Sequence, residues 1–257
     1  MLSRKMLAKM IDYSLLRPEA TRDDIIALCE EAKQYHFAAV CIFPYWVRLA
    51  EQQLRDSDVK VCAVVGYPFG VTTVATKVIE AKGVIAGGAT EIDVMMNLGA
   101  LKSKRYDAVR RDIEEVVNIA NVAGLTRDGQ DIMAKVIIEI GLLTEEEARC
   151  ACQIAKDAGA DFIKTSTGFG PRGTTIEDIR LIRSVVGREI GIKAAGGIDG
   201  LEPAIRMLDA GANRIGSSAA VAIVQSLQED EEEEEPQRPE KEDEEDEEEI
   251  EEVSEVD

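Results

Sequence analysis

Asp161-Phe162-Ile163-Lys164-Thr165-Ser166-Thr167-Gly168-Phe169-Gly170 reads as a short buried strand that ends in a lysine and runs into a turn of small hydroxylated residues and glycines. An ammonium group directly after Phe-Ile loses solvation, so it must be paired or give up its proton. A neutral lysine amine is a nucleophile for a carbonyl carbon. About 30 residues on, Gly191-Ile192-Lys193-Ala194-Ala195-Gly196-Gly197-Ile198 repeats the pattern, with a lysine after an apolar strand and before a glycine pair. Two strand-end lysines at this spacing fit neighbouring parallel strands of β-α units, with both side chains aimed at one site. Close together, each ammonium disfavours the other and one pKa falls. Moving a lysine from ~10.4 to near 7 takes roughly 4 kcal/mol, within reach of like-charge proximity and partial burial.

Outward from these two strands the same unit recurs. Strand-like segments fall around Asp12 and at 38–43, 60–65, 90–96, 134–140, 161–165, 190–194 and 213–216, each followed by a helical pattern. A short helix over 3–11 precedes them. Thr21 is a good N-cap for a helix reaching Tyr35, Gly87-Gly88 closes one begun at Thr73, and a long helix spans 103–123. Thr144-Glu145-Glu146-Glu147 has the form of a capping box. Eight such units predict a (β/α)8 TIM barrel with a short N-terminal helix, because a closed parallel ring leaves no exposed edge; an open doubly wound sheet is the alternative. Polar residues at the C-terminal ends of barrel strands face the site, which places Asp12, Cys41, Asp93, Glu139, Lys164, Lys193 and Ser217 there.

Charge divides the chain in two. From Glu229 to Asp257 there are 20 acidic residues against Arg238 and Lys241, a net −18 out of −20 for the whole chain, so residues 1–228 carry only −2. The expected organisation is a catalytic barrel over 1–228 and a disordered acidic tail over 229–257, since the tail has too few apolar residues to offset the entropy of ordering. Nothing in the body has the basic balance of a nucleic-acid binder, and no run approaches the ~20 apolar residues of a membrane span. The first ten residues lack the apolar run of a secretion signal. Five scattered cysteines argue for a reducing compartment, so a cytoplasmic protein is expected. Cys150 and Cys152 lie two apart on a helix and do not share a face, and His36 is the only histidine, so no metal site is expected.

Four stretches in order, Val65-Gly66-Tyr67-Pro68-Phe69-Gly70, Glu91-Ile92-Asp93-Val94, Ile163 to Gly170 and Lys193 to Ile198, give a chain that resembles the deoxyribose-phosphate aldolases, class I aldolases on a β/α barrel. The resemblance runs from about Asp12 to Leu227. It implies reversible cleavage of 2-deoxy-D-ribose 5-phosphate to acetaldehyde and D-glyceraldehyde 3-phosphate without a cofactor or metal. It implies further that Lys164 forms the Schiff base, that Lys193 lowers its pKa and relays protons with Asp93, and that the protein is a dimer or tetramer. The pathway would be deoxyribonucleotide catabolism, a branch of carbohydrate degradation. Substrate contacts are expected from Asp12, Cys41, Thr167 and Gly168. The phosphate would meet Gly196-Gly197 and Gly216-Ser217-Ser218, loops after strands 7 and 8 that offer N–H groups near helix N-termini. Tyr13, Phe43 and Asp199 depart from the family pattern and bear on aldehyde preference and phosphate affinity.

Each residue also has a plainer reading. Lys164 alone would be a salt-bridged structural lysine, Asp93 a carboxylate capping a turn, Cys41 a small core thiol and the glycines tight turns. Glu139 either orients a lysine or only pairs with one. Two other functions stand beside the aldolase: a Schiff-base barrel enzyme for a larger phosphorylated ketose, and a non-catalytic scaffold for the acidic tail.

Overall fold

A computed structural model describes residues 2–126 and 131–227. Its eight strands are β1 (Ile11–Leu15), β2 (Ala39–Ile42), β3 (Lys60–Val65), β4 (Glu91–Met95), β5 (Met133–Ile137), β6 (Phe162–Lys164), β7 (Gly191–Ala195) and β8 (Arg214–Ser217). All pair in parallel in sequence order, and β8 returns to β1, closing the barrel. The open-sheet alternative is therefore excluded. The expected tail, 229–257, lies outside the described residues.

The helices are α1 (Arg4–Ala8), α2 (Arg22–Tyr35), α3 (Val47–Leu54), α4 (Val74–Ala86), α5 (Leu98–Lys102), α6 (Tyr106–Thr126), α7 (Glu145–Asp157), α8 (Ile176–Val186), α9 (Leu201–Asp209) and α10 (Ala220–Gln225). Side-chain chemistry sets where several begin. Thr21, Thr144 and Thr175 each accept from the N–H three residues on, and Asp24, Glu147 and Asp178 return the bond to the cap N–H. The helix expected over 103–123 is α6, which begins and ends three residues later, and the short α5 precedes it. Lys104 takes a left-handed φ of 56° between them, and its N–H bonds back to Leu101, which closes the first helix.

Strand alternation sorts the residues into two environments. Ile92, Val94, Ile163, Ile192 and Ala194 face outward into one large core beneath the helices. Glu91, Asp93, Lys164 and Lys193 carry the opposite parity and point into the barrel. There the apolar filling is small, chiefly Ala39, Cys41, Cys62 and Val64. Beside it stands a layer of charged side chains, where barrels of this fold usually stack branched aliphatic ones.

Candidate active site

Register brings the charged residues together. Lys164 on β6 is the direct partner of Lys193 on β7, and Asp93 on β4 is the partner of Lys135 on β5. Both strand-end lysines bind one atom: Lys164 Nζ donates to Asp93 Oδ2 at 2.9 Å and Lys193 Nζ at 2.8 Å. Lys135 Nζ takes the other oxygen, Asp93 Oδ1, at 3.0 Å and pairs with Glu91 Oε2 at 2.6 Å. Lys193 also pairs with Asp12 at 2.5 Å, and Arg214 bridges Asp12 and Glu91 at 2.7 and 3.1 Å. Four cations thus share three carboxylates in a layer that water barely reaches.

Electrostatics follow from this count. Burial pushes the Asp93 carboxyl up, but Lys135, Lys164 and Lys193 outweigh it and hold the group well below the usual carboxylate range. Burial likewise works against charge on Lys193 and Lys135, and the surrounding carboxylates overcome it, raising both well above an ordinary lysine. The surplus of positive charge also acts on the neighbouring thiol. Cys41 is drawn down to about 7 by its hydrogen bond with Cys62 and by Lys193 and Lys164, against burial and Asp93.

Above this layer, at the C-terminal ends of the strands, opens a cavity of about 420 Å³. Lys164 is the only one of the four cations that lines it. The cavity wall also includes Thr167, Gly168, Gly196, Gly197, Gly216, Ser217 and Ser218, all expected at the substrate. Gly196 and Gly197 have φ of 96° and 73°, a left-handed turn ahead of α9 that a side chain would disfavour. The Ser217 hydroxyl is already committed: it donates to Ile198 O at 2.6 Å and accepts from Ala219 N–H.

Two expected substrate contacts are elsewhere. Asp12 is the second residue of β1 rather than its end, fully buried between Lys193 and Arg214, and Cys41 is sealed beneath Asp93. Neither lines the cavity. Glu139 touches no lysine; it lies past the end of β5, which stops at Ile137. Of the three departures from the family pattern, only Asp199 lines the cavity. Tyr13 turns outward to donate to Glu31 at 2.7 Å, and Phe43 packs edge-on against Tyr67 with ring centroids 5.7 Å apart.

The sequence reading missed Lys135, Glu91, Arg214 and Tyr67. The first three lie lower on their strands, and their parity was the available signal: Lys135 sits between outward-facing Ala134 and Val136. Tyr67 stands in the cavity wall, with Lys164 Nζ 5.9 Å from its ring centre, and its hydroxyl donates to Thr167 O at 2.6 Å. Cys41, Cys62 and Asp93 bring three donor atoms within 4.8 Å of one another, the spacing of a metal site. Both Asp93 oxygens already serve lysines, and the surplus positive charge opposes adding a cation there.

A closed parallel barrel with a lysine at the floor of the cavity on its C-terminal face defines a barrel enzyme. The chain belongs to the DeoC/LacD family of aldolases, whose profile, described as DeoC/LacD family aldolase, matches residues 6–226. It is similar to the deoxyribose-phosphate aldolase of Caldanaerobacter subterraneus subsp. tengcongensis, 53% identical over 219 residues that cover 85% of this chain and 92% of that one. That of Halalkalibacterium halodurans is 54% identical over 221 residues, 86% of this chain and 95% of the relative. Among solved structures, the tetrameric deoxyribose phosphate aldolase of Aeropyrum pernix superposes with a TM-score of 0.80 at 33% identity, covering 87% of this chain and 92% of that one.

Proposed function

We propose that this chain cleaves 2-deoxy-D-ribose 5-phosphate reversibly to acetaldehyde and D-glyceraldehyde 3-phosphate through a Schiff base on Lys164. The observation that carries the reading is that, of two lysines sharing one carboxylate oxygen, only Lys164 opens to the cavity. Two ammonium groups on one oxygen repel each other. Lys193, held by Asp12 as well as Asp93, keeps its charge.

The Lys164 amine adds to C1 of the open-chain sugar, and loss of water leaves a protonated imine. Removal of the C3 hydroxyl proton breaks the C2–C3 bond. C3 leaves as the aldehyde of glyceraldehyde 3-phosphate, and the bonding pair moves into the imine to give a neutral enamine. A proton delivered to C2 and hydrolysis of the imine release acetaldehyde and restore the amine. Asp93 Oδ2, which touches both lysine nitrogens, serves as the proton station with Lys193. The Gly196-Gly197 turn ahead of α9 and Ser218 offer donors for the phosphate, while Asp199 beside them opposes it.

The free cysteines support a reducing, cytoplasmic setting, and a deoxyribose phosphate as substrate supports a role in deoxyribonucleotide catabolism. Among the described residues no helix is long and apolar enough to cross a membrane. The tetrameric relative supports a homo-oligomer.

Borohydride reduction in the presence of acetaldehyde, followed by peptide mass mapping, tests the reading. An ethyl adduct on Lys164, absent from Lys164→Ala, is expected. An adduct on Lys193 would exchange the two roles, and an adduct only with a phosphorylated ketose would replace the substrate.

A further inference from the structure

Glu139 is buried beside the cavity yet does not line it and touches none of the lysines. Its backbone is left-handed, φ 44° and ψ 61°, a conformation that a non-glycine residue keeps only where its surroundings hold it. The flanking N–H groups stay in the ladder: Ile138 N–H donates to Lys164 O at 3.1 Å and Ile140 N–H to Thr165 O at 2.9 Å. The kink therefore redirects one side chain without breaking the pairing of the two strands' ends. That side chain passes under the turn after β6. Glu139 Oε2 accepts from Thr167 N–H at 3.0 Å and from the Thr167 hydroxyl. The same hydroxyl accepts from Phe169 N–H at 3.0 Å, and Tyr67 Oη donates to Thr167 O. Every polar atom of Thr167 is thus held. Gly170 completes the fit, since a Cβ there would collide with Glu139 Oε1.

We propose that Glu139 is a positioning residue: through Thr167 it fixes the cavity wall against which the sugar is held, and it takes no part in proton transfer. This rests on the aldolase reading. The alternative, a base that moves protons itself, conflicts with a carboxylate turned beneath Gly170 and away from the cavity.

Two variants separate the cases. Glu139→Gly removes the carboxylate and suits the backbone angle, whereas Glu139→Gln keeps an acceptor oxygen for Thr167. For cleavage of the phosphorylated sugar, Glu139→Gly should raise KM about tenfold with kcat changed less than about threefold, as expected when a charged hydrogen bond that holds a binding wall is lost. The shape of the pH–rate profile should not change. Borohydride trapping of acetaldehyde on Lys164 should stay within about twofold of wild type, because the two-carbon donor needs little of that wall, and Glu139→Gln should restore KM to within about threefold. An unchanged KM overturns the proposal, as does a shifted pH profile or a parallel loss of trapping. If Glu139→Gly does not fold, Glu139→Asn, which tolerates the left-handed backbone but is one methylene too short to reach Thr167, takes its place with the same KM rise expected and the same outcomes against it. Failure of wild type to form the Lys164 adduct is a separate result, which removes the aldolase reading itself.

Discussion

Asp93 neutralises three lysines with two oxygens, so its replacement reaches further than a single contact. On the mechanism proposed above, Asp93→Asn should lower kcat by about 10²–10⁴, the usual share of a proton-transfer group. It should also destabilise the fold by about 3–5 kcal/mol, because buried cations lose their partner. The pH dependence has a definite sign. The depressed carboxyls of Asp93 and Asp12 contribute stability that is complete above the ordinary value of ~3.9 and disappears as pH falls through their lowered native values. Lys193 and Lys135, raised by burial in the company of carboxylates, contribute fully below ~10.4 and lose it as pH rises through their raised native values. Denaturant unfolding as a function of pH should show the gap between wild type and Asp93→Asn wide at neutrality and closing in acid. At the cavity rim, Asp199→Asn should lower KM for the phosphorylated sugar a few-fold by removing a like charge, and the gain should shrink in added salt; KM titrations at two ionic strengths check it.

At the level of the elements, the threonine caps mark where helices begin, and they were readable because a Thr three residues before an acidic residue has one local meaning. Thr175→Ala should cost about 1 kcal/mol, seen as a lower Tm with unchanged kcat, since the lost bonds lie at the start of α8. The eight strands were readable for a similar reason: each is a short apolar run closed by turn residues. What escaped was set by distant parts of the chain. Nothing local to Lys104 announces a left-handed residue between α5 and α6. Nor does the run Lys-Val-Ile-Ile-Glu reveal that the regular strand stops at Ile137 and that Glu139 turns to meet Thr167, 28 residues on. The two strand-end lysines stood out because their neighbours made them costly. Lys135 and Arg214 escaped because a charge lower on a strand acquires its role only when the barrel closes around it.

For the molecule as a whole, the described fold ends at Leu227, whose carbonyl accepts from Arg4 Nε at 2.7 Å, so the last and first helices are tied together. Removing residues 229–257 takes the net charge from −20 to −2 without touching any residue of the cavity. The truncated chain should keep kcat within about twofold while becoming less soluble near neutral pH, because a protein close to zero net charge associates more readily; steady-state assays and light scattering of the two forms decide this. The uneven partnership inside the barrel, four cations to three carboxylates, also bears on the direction of the chemical step. On the mechanism proposed above, a neutral amine at Lys164 would leave the layer electrically balanced, and a protonated imine would add one positive charge beside both Asp93 Oδ2 and the Lys193 ammonium. Carbon–carbon cleavage would then turn that iminium into an uncharged enamine, so the charge inside the barrel would rise by one with the first covalent step and fall by one with the second.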